Sequence, residues 1–279
     1  MWGRVEERAT TGMRTGLALL SVALLAGCLH ADTDYQVNYG LNHYRMGLYN
    51  QAIPPLVTAA KSLEKTNPSD PRLPEVLLAL GAMAAADQRV EMAEGFYLNA
   101  VKAADGLATP DENAQRNALV NGGNFYLAQR RPKDALPLLE RAATISEQSA
   151  RFRRTLHAID LDNLGQAYSG QKRYSEGRAL GLRALKVLDA AQAEPDAAKT
   201  RGVVHYNLAY GYMEEGLYAE AETNYRRALE ILAPSGAPQV GETWRVEVVL
   251  TNYAILLRKV GRGNEAATLE HRNEQLPAR

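Results

Sequence analysis

Small residues recur in this chain with a period of about 42 residues, and they do so in three registers at once. Taking Ala52 as a marker, equivalent positions hold Ala93, Ala135, Gly177, Ala221 and Ala266, at spacings of 41, 42, 42, 44 and 45. A second small residue stands twelve positions before each marker: Gly40, Gly81, Gly123, Gly165, Ala209 and Ala254. A third stands seven after it in five copies, at Ala59, Ala100, Ala142, Ala184 and Ala228. Fixed-period self-similarity on this scale belongs to arrays of supersecondary units, each unable to bury its apolar face alone. The stretch from Val204 to Leu229 explains the pattern. Two helices approach to about 8–10 Å only where side chains are small at the crossing, and larger neighbours then interdigitate. Leu208 and Tyr212 flank Ala209 on one helix, Glu215-Gly216 makes the turn, and Tyr225 lies between Ala221 and Ala228 on the next.

The order large-x-x-Leu-Gly-x-x-Tyr, then Ala, an aromatic and Ala resembles the tetratricopeptide repeat (TPR). The longer period, the phrase Asn252-Tyr253-Ala254-Ile255-Leu256-Leu257-Arg258, and Pro54 and Pro137 two residues after their markers resemble the kinesin-light-chain type. A HEAT or armadillo array has a similar period but lacks the three-register pattern. The expected fold is therefore all-α, a TPR-type helix-hairpin solenoid of about six repeats spanning 34–275. Repeats are expected near 34–68, 75–108, 117–150, 158–192, 203–236 and 248–275. Repeat 4 departs from the pattern, with Gly177 and Gly181 where Ala and an aromatic are usual; each glycine costs about 1 kcal/mol inside a helix. Repeat 6 has Glu270 at the aromatic position in a polar final helix, which suits a wetted end cap.

Helical spacing at about 100° per residue puts one set of first-helix positions into the packing and the opposite set onto an inner face. One inner position carries Asn38, Asn121, Asn163, Asn207 and Asn252, with Ala79 the exception. Asparagine is a mediocre helix former but offers donors and an acceptor on a short stem. In TPR peptide binders asparagines at this position pair with the backbone of an extended peptide, so the resemblance implies that role here. The competing possibility is that these amides bond to neighbouring helices and set the pitch. Tyr206, Tyr210, Asn124 and Gln166 share the expected groove with this row, and Lys259 extends it. The groove charges, including Asp162 and Glu214, are read as a solvated face.

The N-terminus carries a different signal. Met13 to Cys28 reads MRTGLALLSVALLAGC: a positive charge, an apolar run of about ten residues and a small-residue ending, too short to span a bilayer. Leu25-Ala26-Gly27-Cys28 resembles the bacterial lipobox, which implies cleavage before Cys28 and lipidation of its sulfur and new amino group. A plain signal peptide with an incidental cysteine, or a buried apolar segment, would fit the run less fully. Residues 1–27 are thus expected to be a lipoprotein signal, with Met13 an alternative start, and 28–33 a tether. Leu29 favours the outer membrane, facing the periplasm. Without the signal the chain is close to neutral, with 29 basic and 30 acidic side chains.

That balance gives no basic stripe for nucleic acid. The one cysteine allows no intrachain disulfide or cysteine metal cluster. The five histidines are scattered without metal-ligand spacing, and His43 and His205 fall at packing positions. Asn121-Gly122-Gly123-Asn124 and Gly261-Arg262-Gly263 follow no strand and belong to the repeat pattern, so no phosphate loop is expected. Catalytic residues, metal, cofactor and small-molecule substrate are all expected to be absent. The expected job is non-enzymatic: a lipid-anchored scaffold or adaptor of the cell envelope that binds a protein or peptide in the inner groove. The alternative is a structural subunit or assembly factor of a pilus or secretion complex with a permanently bound partner.

Overall fold

The computed structural model describes residues 33–234 and 243–276. Within them lie twelve helices and no strand: α1 (Thr33–Arg45), α2 (Tyr49–Thr66), α3 (Leu73–Ala86), α4 (Val90–Asp105), α5 (Glu112–Ala128), α6 (Pro132–Gln148), α7 (Arg154–Gly170), α8 (Tyr174–Asp189), α9 (Ala197–Glu214), α10 (Tyr218–Leu232), α11 (Thr243–Lys259) and α12 (Gly263–Glu274). The fold is all-α and of the TPR helix-hairpin type. The expected signal peptide, Cys28 and nearly all of the tether lie outside the described residues; helix α1 begins at Thr33, the last residue assigned to the tether.

Six turns close the six hairpins in one register. The residue five before each marker has positive φ: Gly47, Gln88, Arg130, Lys172, Gly216 and Gly261. The next residue donates its N–H back over the turn, for example Leu48 to the His43 carbonyl at 2.9 Å and Arg262 to the Leu257 carbonyl at 2.8 Å. This is the Schellman geometry that satisfies carbonyls left over at a helix C-terminus. The same residue's carbonyl accepts the first bond of the following helix from the marker itself, as in Ala221 N–H to Leu217 O at 3.0 Å. The periodic small residue is therefore both the crossing point and the start of the second helix's hydrogen-bond ladder. Glycine occupies three of the six left-handed positions, where it costs no side-chain strain.

The chain divides into two compact units, Met1–Phe125 and Tyr126–Arg279. In the first unit, α1 packs on α2 and α3 on α4, with α2 against α3. Ala52, Ala59, Ala93 and Ala100 are fully buried at these crossings. Gly40 faces Leu56 so closely that an added Cβ would fall 2.6 Å from its Cγ, and Gly81 lies against the Tyr97 ring. At Gly40 and Gly81 small meets large.

In the second unit, hairpins α7–α8, α9–α10 and α11–α12 stack in order, with α6 on α7. Tyr225 is completely buried, stacked on Tyr253 at a centroid distance of 5.6 Å and tilted to Tyr206 at 6.3 Å. Ala209, Ala221, Ala228 and Ala254 make room for these rings. Helix α12 buries only Ala266 among the residues of its own length, as a terminal helix with a wet outer face should.

Hairpin α7–α8 follows a different rule. A Cβ on Gly177 would lie 2.7 Å from the Gly165 carbonyl oxygen, and one on Gly165 would lie 2.9 Å from that of Gly177. Here small meets small, backbone against backbone. Gly181 gives up the usual aromatic because Leu208, from α9, occupies the space; its Cδ2 would stand 2.8 Å from a Gly181 Cβ. The two glycines that look costly for a helix are what let these helices close up.

Candidate functional site

Helices α7, α8 and α9, with the turn between α5 and α6, surround an open cleft of about 600 Å³ in the second unit. Gly165, Gly170, Gly177, Gly181 and Gly211 all line it. A Cβ on Gly211 would meet nothing nearer than the Arg178 Cγ at 3.6 Å, so the opening there is set by the missing side chain.

Asp162, on α7, lines the cleft yet is only 6% exposed. Its Oδ2 accepts hydrogen bonds from Asn207 Nδ2 at 2.7 Å and Gln166 Nε2 at 3.3 Å. Both donors are neutral amides. Burial pushes the carboxyl up to about 7, and the two hydrogen bonds offset only part of that shift. The reading of Asp162 as solvated face is thus corrected. The close approach of α7 to its neighbours removes water from a position that helical spacing alone assigns to the groove.

Aromatic and cationic groups surround it. Tyr206 and Tyr210 line the cleft from α9, one half-buried and the other 40% exposed. The Tyr206 hydroxyl accepts from Asn252 Nδ2 at 3.0 Å, and the same amide donates to the Val248 carbonyl at 3.1 Å. Arg178 stacks over the Tyr212 ring, 5.0 Å from its centroid, and is ion-paired with Glu215. Arg130, exposed in the α5–α6 turn, completes the lining near Tyr210; Glu214 also acts on that phenol, whose pKa rises through burial first and Glu214 second.

The structure therefore brings Asn207, Gln166, Tyr206 and Tyr210 into one site, with Asn252 bonded to its edge. Asn163 is adjacent in sequence but turned away: it is 9% exposed and does not line the cleft, and its Nδ2 is buried without a hydrogen-bond partner. Lys259 is exposed at the end of α11, outside the cleft lining. In the first unit Asn38, Asn121 and Asn124 are exposed, and Asn121 donates to the Asn117 carbonyl of its own helix at 2.8 Å. Asn207 and Asn252 thus bond to side chains of neighbouring helices, the kind of contact the pitch-setting alternative invokes, whereas Asn121 bonds back to its own helix.

His205 is partly buried and bonded through Nδ1 to Asn224 Oδ1 at 2.8 Å, and burial holds its pKa below the usual imidazole value. His43, in the last turn of α1, is half-buried; it stacks on Tyr39 at 3.9 Å and bonds through Nδ1 to that residue's carbonyl at 2.8 Å. His157 Nδ1 lies 3.0 Å from Ser146 Oγ, both buried, with the serine donating to the Ala143 carbonyl. That serine proton is committed to backbone, so the pair braces α6 against α7. Among the described residues no group of three or more His, Cys, Asp or Glu is placed to hold a metal, and no helix is long and apolar enough to cross a membrane. Sequence spacing missed Arg130, Arg178 and the glycine frame; the paired glycines of repeat 4 are the signal that could have found the last.

Residues 116–149 match the tetratricopeptide repeat family. No curated protein matches the chain. Among solved structures it is similar to BtubC (BKLC) from P. vanneervenii, with 17% identity over 88% of this chain and 90% of that one and a TM-score of 0.62. It is also similar to the nearly identical kinesin-light-chain TPR-like repeats from Podosopora anserina, with 17% identity over 74% and 98% of the two chains and a TM-score of 0.61. The pilF protein of Pseudomonas aeruginosa shares 19% identity over 85% and 88%, with a TM-score of 0.56. These likenesses establish the fold.

Proposed function

We propose that this protein is a lipid-anchored scaffold or adaptor of the bacterial cell envelope, which holds a protein or peptide partner in the cleft of its second unit. The observation that carries the reading is the cleft itself. It is open, and it combines aromatic faces with side-chain donors and acceptors, the combination that suits an extended polypeptide. A TPR-type fold suits that task, because stacked hairpins present a preformed surface and need no reorganisation to bind.

Photo-crosslinking tests the cleft. A benzoylphenylalanine at Tyr210 should trap a polypeptide in illuminated membranes, whereas the same group at Leu182, 51% exposed on α8 and outside the cleft lining, should not. Equal trapping at both positions, or none at 210, would reject the reading.

The anchor rests on the lipobox ending at Cys28 and is tested separately. Two or more acyl chains, at about 0.8 kcal/mol per buried CH₂, make attachment stable. Wild-type protein is expected in the detergent phase of a Triton X-114 partition, and Cys28→Ser in the aqueous phase. If the two partition alike, the chain is not lipid-anchored through Cys28. A tether this short would hold the helices close to the outer membrane, on its periplasmic side.

A further inference from the structure

The cleft's charges differ in what they are given. Arg178 is matched by Glu215, and Arg130 and Glu214 bear with opposite signs on Tyr210. Asp162 has no cation: both of its hydrogen-bond partners are neutral, both reach the same oxygen, and Oδ1 has no partner among the described residues. A carboxylate taken out of water and given only amides is an expensive thing to keep, unless something outside the chain completes it. We infer that the cleft selects its partner segment by a lysine or arginine side chain, received by the Asp162 carboxylate in a site shared with Tyr206 and Tyr210.

This inference rests on the polypeptide-binding reading above and adds the chemistry of the segment. The geometry suits a cation on a long apolar stem. The carboxylate lies deep while the mouth is open, so the ligand must reach inward. The rings of Tyr206 and Tyr210 can cover the stem and favour the charge. Gln166 and Asn207 hold Oδ2 and so leave Oδ1 for the newcomer. A charge-assisted bond to a buried carboxylate is worth roughly ten- to a hundredfold in affinity. A polypeptide side chain suits the site better than a lone amine, because Tyr210, 40% exposed in the cleft lining, offers contact area that a lone amine would leave unused.

The test uses the full chain and an array of twelve-residue peptides, each made with a central lysine, norleucine or glutamate. Wild-type protein is expected to bind lysine peptides at least tenfold more tightly than their norleucine counterparts, and glutamate peptides least. Asp162→Asn keeps an oxygen to accept from Asn207 and Gln166 but should lose the lysine preference while still binding neutral peptides. A second readout needs no variant. In wild type the preference should shrink as pH falls from 8 to 5 and the carboxylate takes up a proton; the charged groups around the cleft are Arg130, Arg178, Glu214 and Glu215. Equal binding of lysine and norleucine peptides, or a preference that survives in Asp162→Asn, overturns the inference but leaves the polypeptide reading standing if position 210 still crosslinks. If no peptide binds and nothing crosslinks, both fall. Cadaverine binding as tightly as the lysine peptides would make the ligand a small amine and overturn the inference.

Discussion

Gly177→Ala is expected to lower the stability of the second unit by about 3 kcal/mol, against a helix propensity that favours alanine by about 1 kcal/mol. The new methyl would stand 2.7 Å from the Gly165 carbonyl oxygen and 2.2 Å from Ser169 Oγ. The serine can rotate away. The carbonyl belongs to the backbone of α7 and moves only if the whole helix does, so α7 and α8 must part. Overpacking of this kind costs about 1–3 kcal/mol and occasionally more, and separation also loosens Ala158, Leu161, Ala184 and Leu188, a cluster with at most 1% exposure. At about 2–4 °C per kcal/mol, the melting temperature should fall by roughly 6–12 °C. Gly165→Ala should behave alike. The double variant should cost less than the two together, because one separation relieves both contacts. Gly263→Ala is the control: nothing lies within 4 Å of its added Cβ, and its effect should stay within about 0.5 kcal/mol. Calorimetry of the four variants decides it. A neutral Gly177→Ala would mean that the helices are not in backbone contact.

That pair of glycines also marks how far the fold is legible in the sequence. Small residues at fixed spacing disclose the hairpins because close packing permits nothing else at a crossing, and Ala52, Ala93, Ala135, Ala221 and Ala266 are fully buried. The same spacing cannot distinguish a crossing of small against large, as at Gly40 and Leu56, from one of small against small, as at Gly165 and Gly177. The partner's identity is a tertiary fact. Turn chemistry was legible at Gly47, Gly216 and Gly261, where glycine announces a left-handed residue, and hidden at Gln88, Arg130 and Lys172, where the Schellman bond imposes the same conformation on a side chain. For the site, a helical wheel finds Tyr206, Asn207, Tyr210 and Gln166 because they share a face. It fails for Asp162 and Asn163, whose burial depends on how closely neighbouring helices approach rather than on their own position around the axis.

Asp162→Asn is expected to stabilise the protein above pH 7 by up to about 4 kcal/mol, and to change nothing near pH 4. The carboxyl's pKa is raised from 3.8 to about 7 on folding, chiefly by burial, and each unit is worth about 1.4 kcal/mol. A folded-state pKa above the unfolded one means that the native protein holds this proton where the denatured chain has released it. The native state is therefore favoured at low pH; that advantage drains away between about pH 4 and 7, and the full penalty of a buried charge stands above. His205 works in the opposite direction, since its depressed pKa favours the native state as pH rises through the usual imidazole range. It is common to both proteins and cancels from their difference. Urea unfolding of wild type and variant from pH 4 to 8 should give curves that coincide at the acid end and diverge as pH rises. A gap that does not depend on pH would show that Asp162 ionises as freely in the fold as in water. A lysine peptide should narrow the gap at pH 8 by stabilising wild type more than the variant, because a ligand that binds only the native state adds its binding free energy to stability and wild type binds this one more tightly. The asparagine variant would then be the more stable protein and the poorer binder, the trade expected when a buried charge is kept for a partner rather than for the fold.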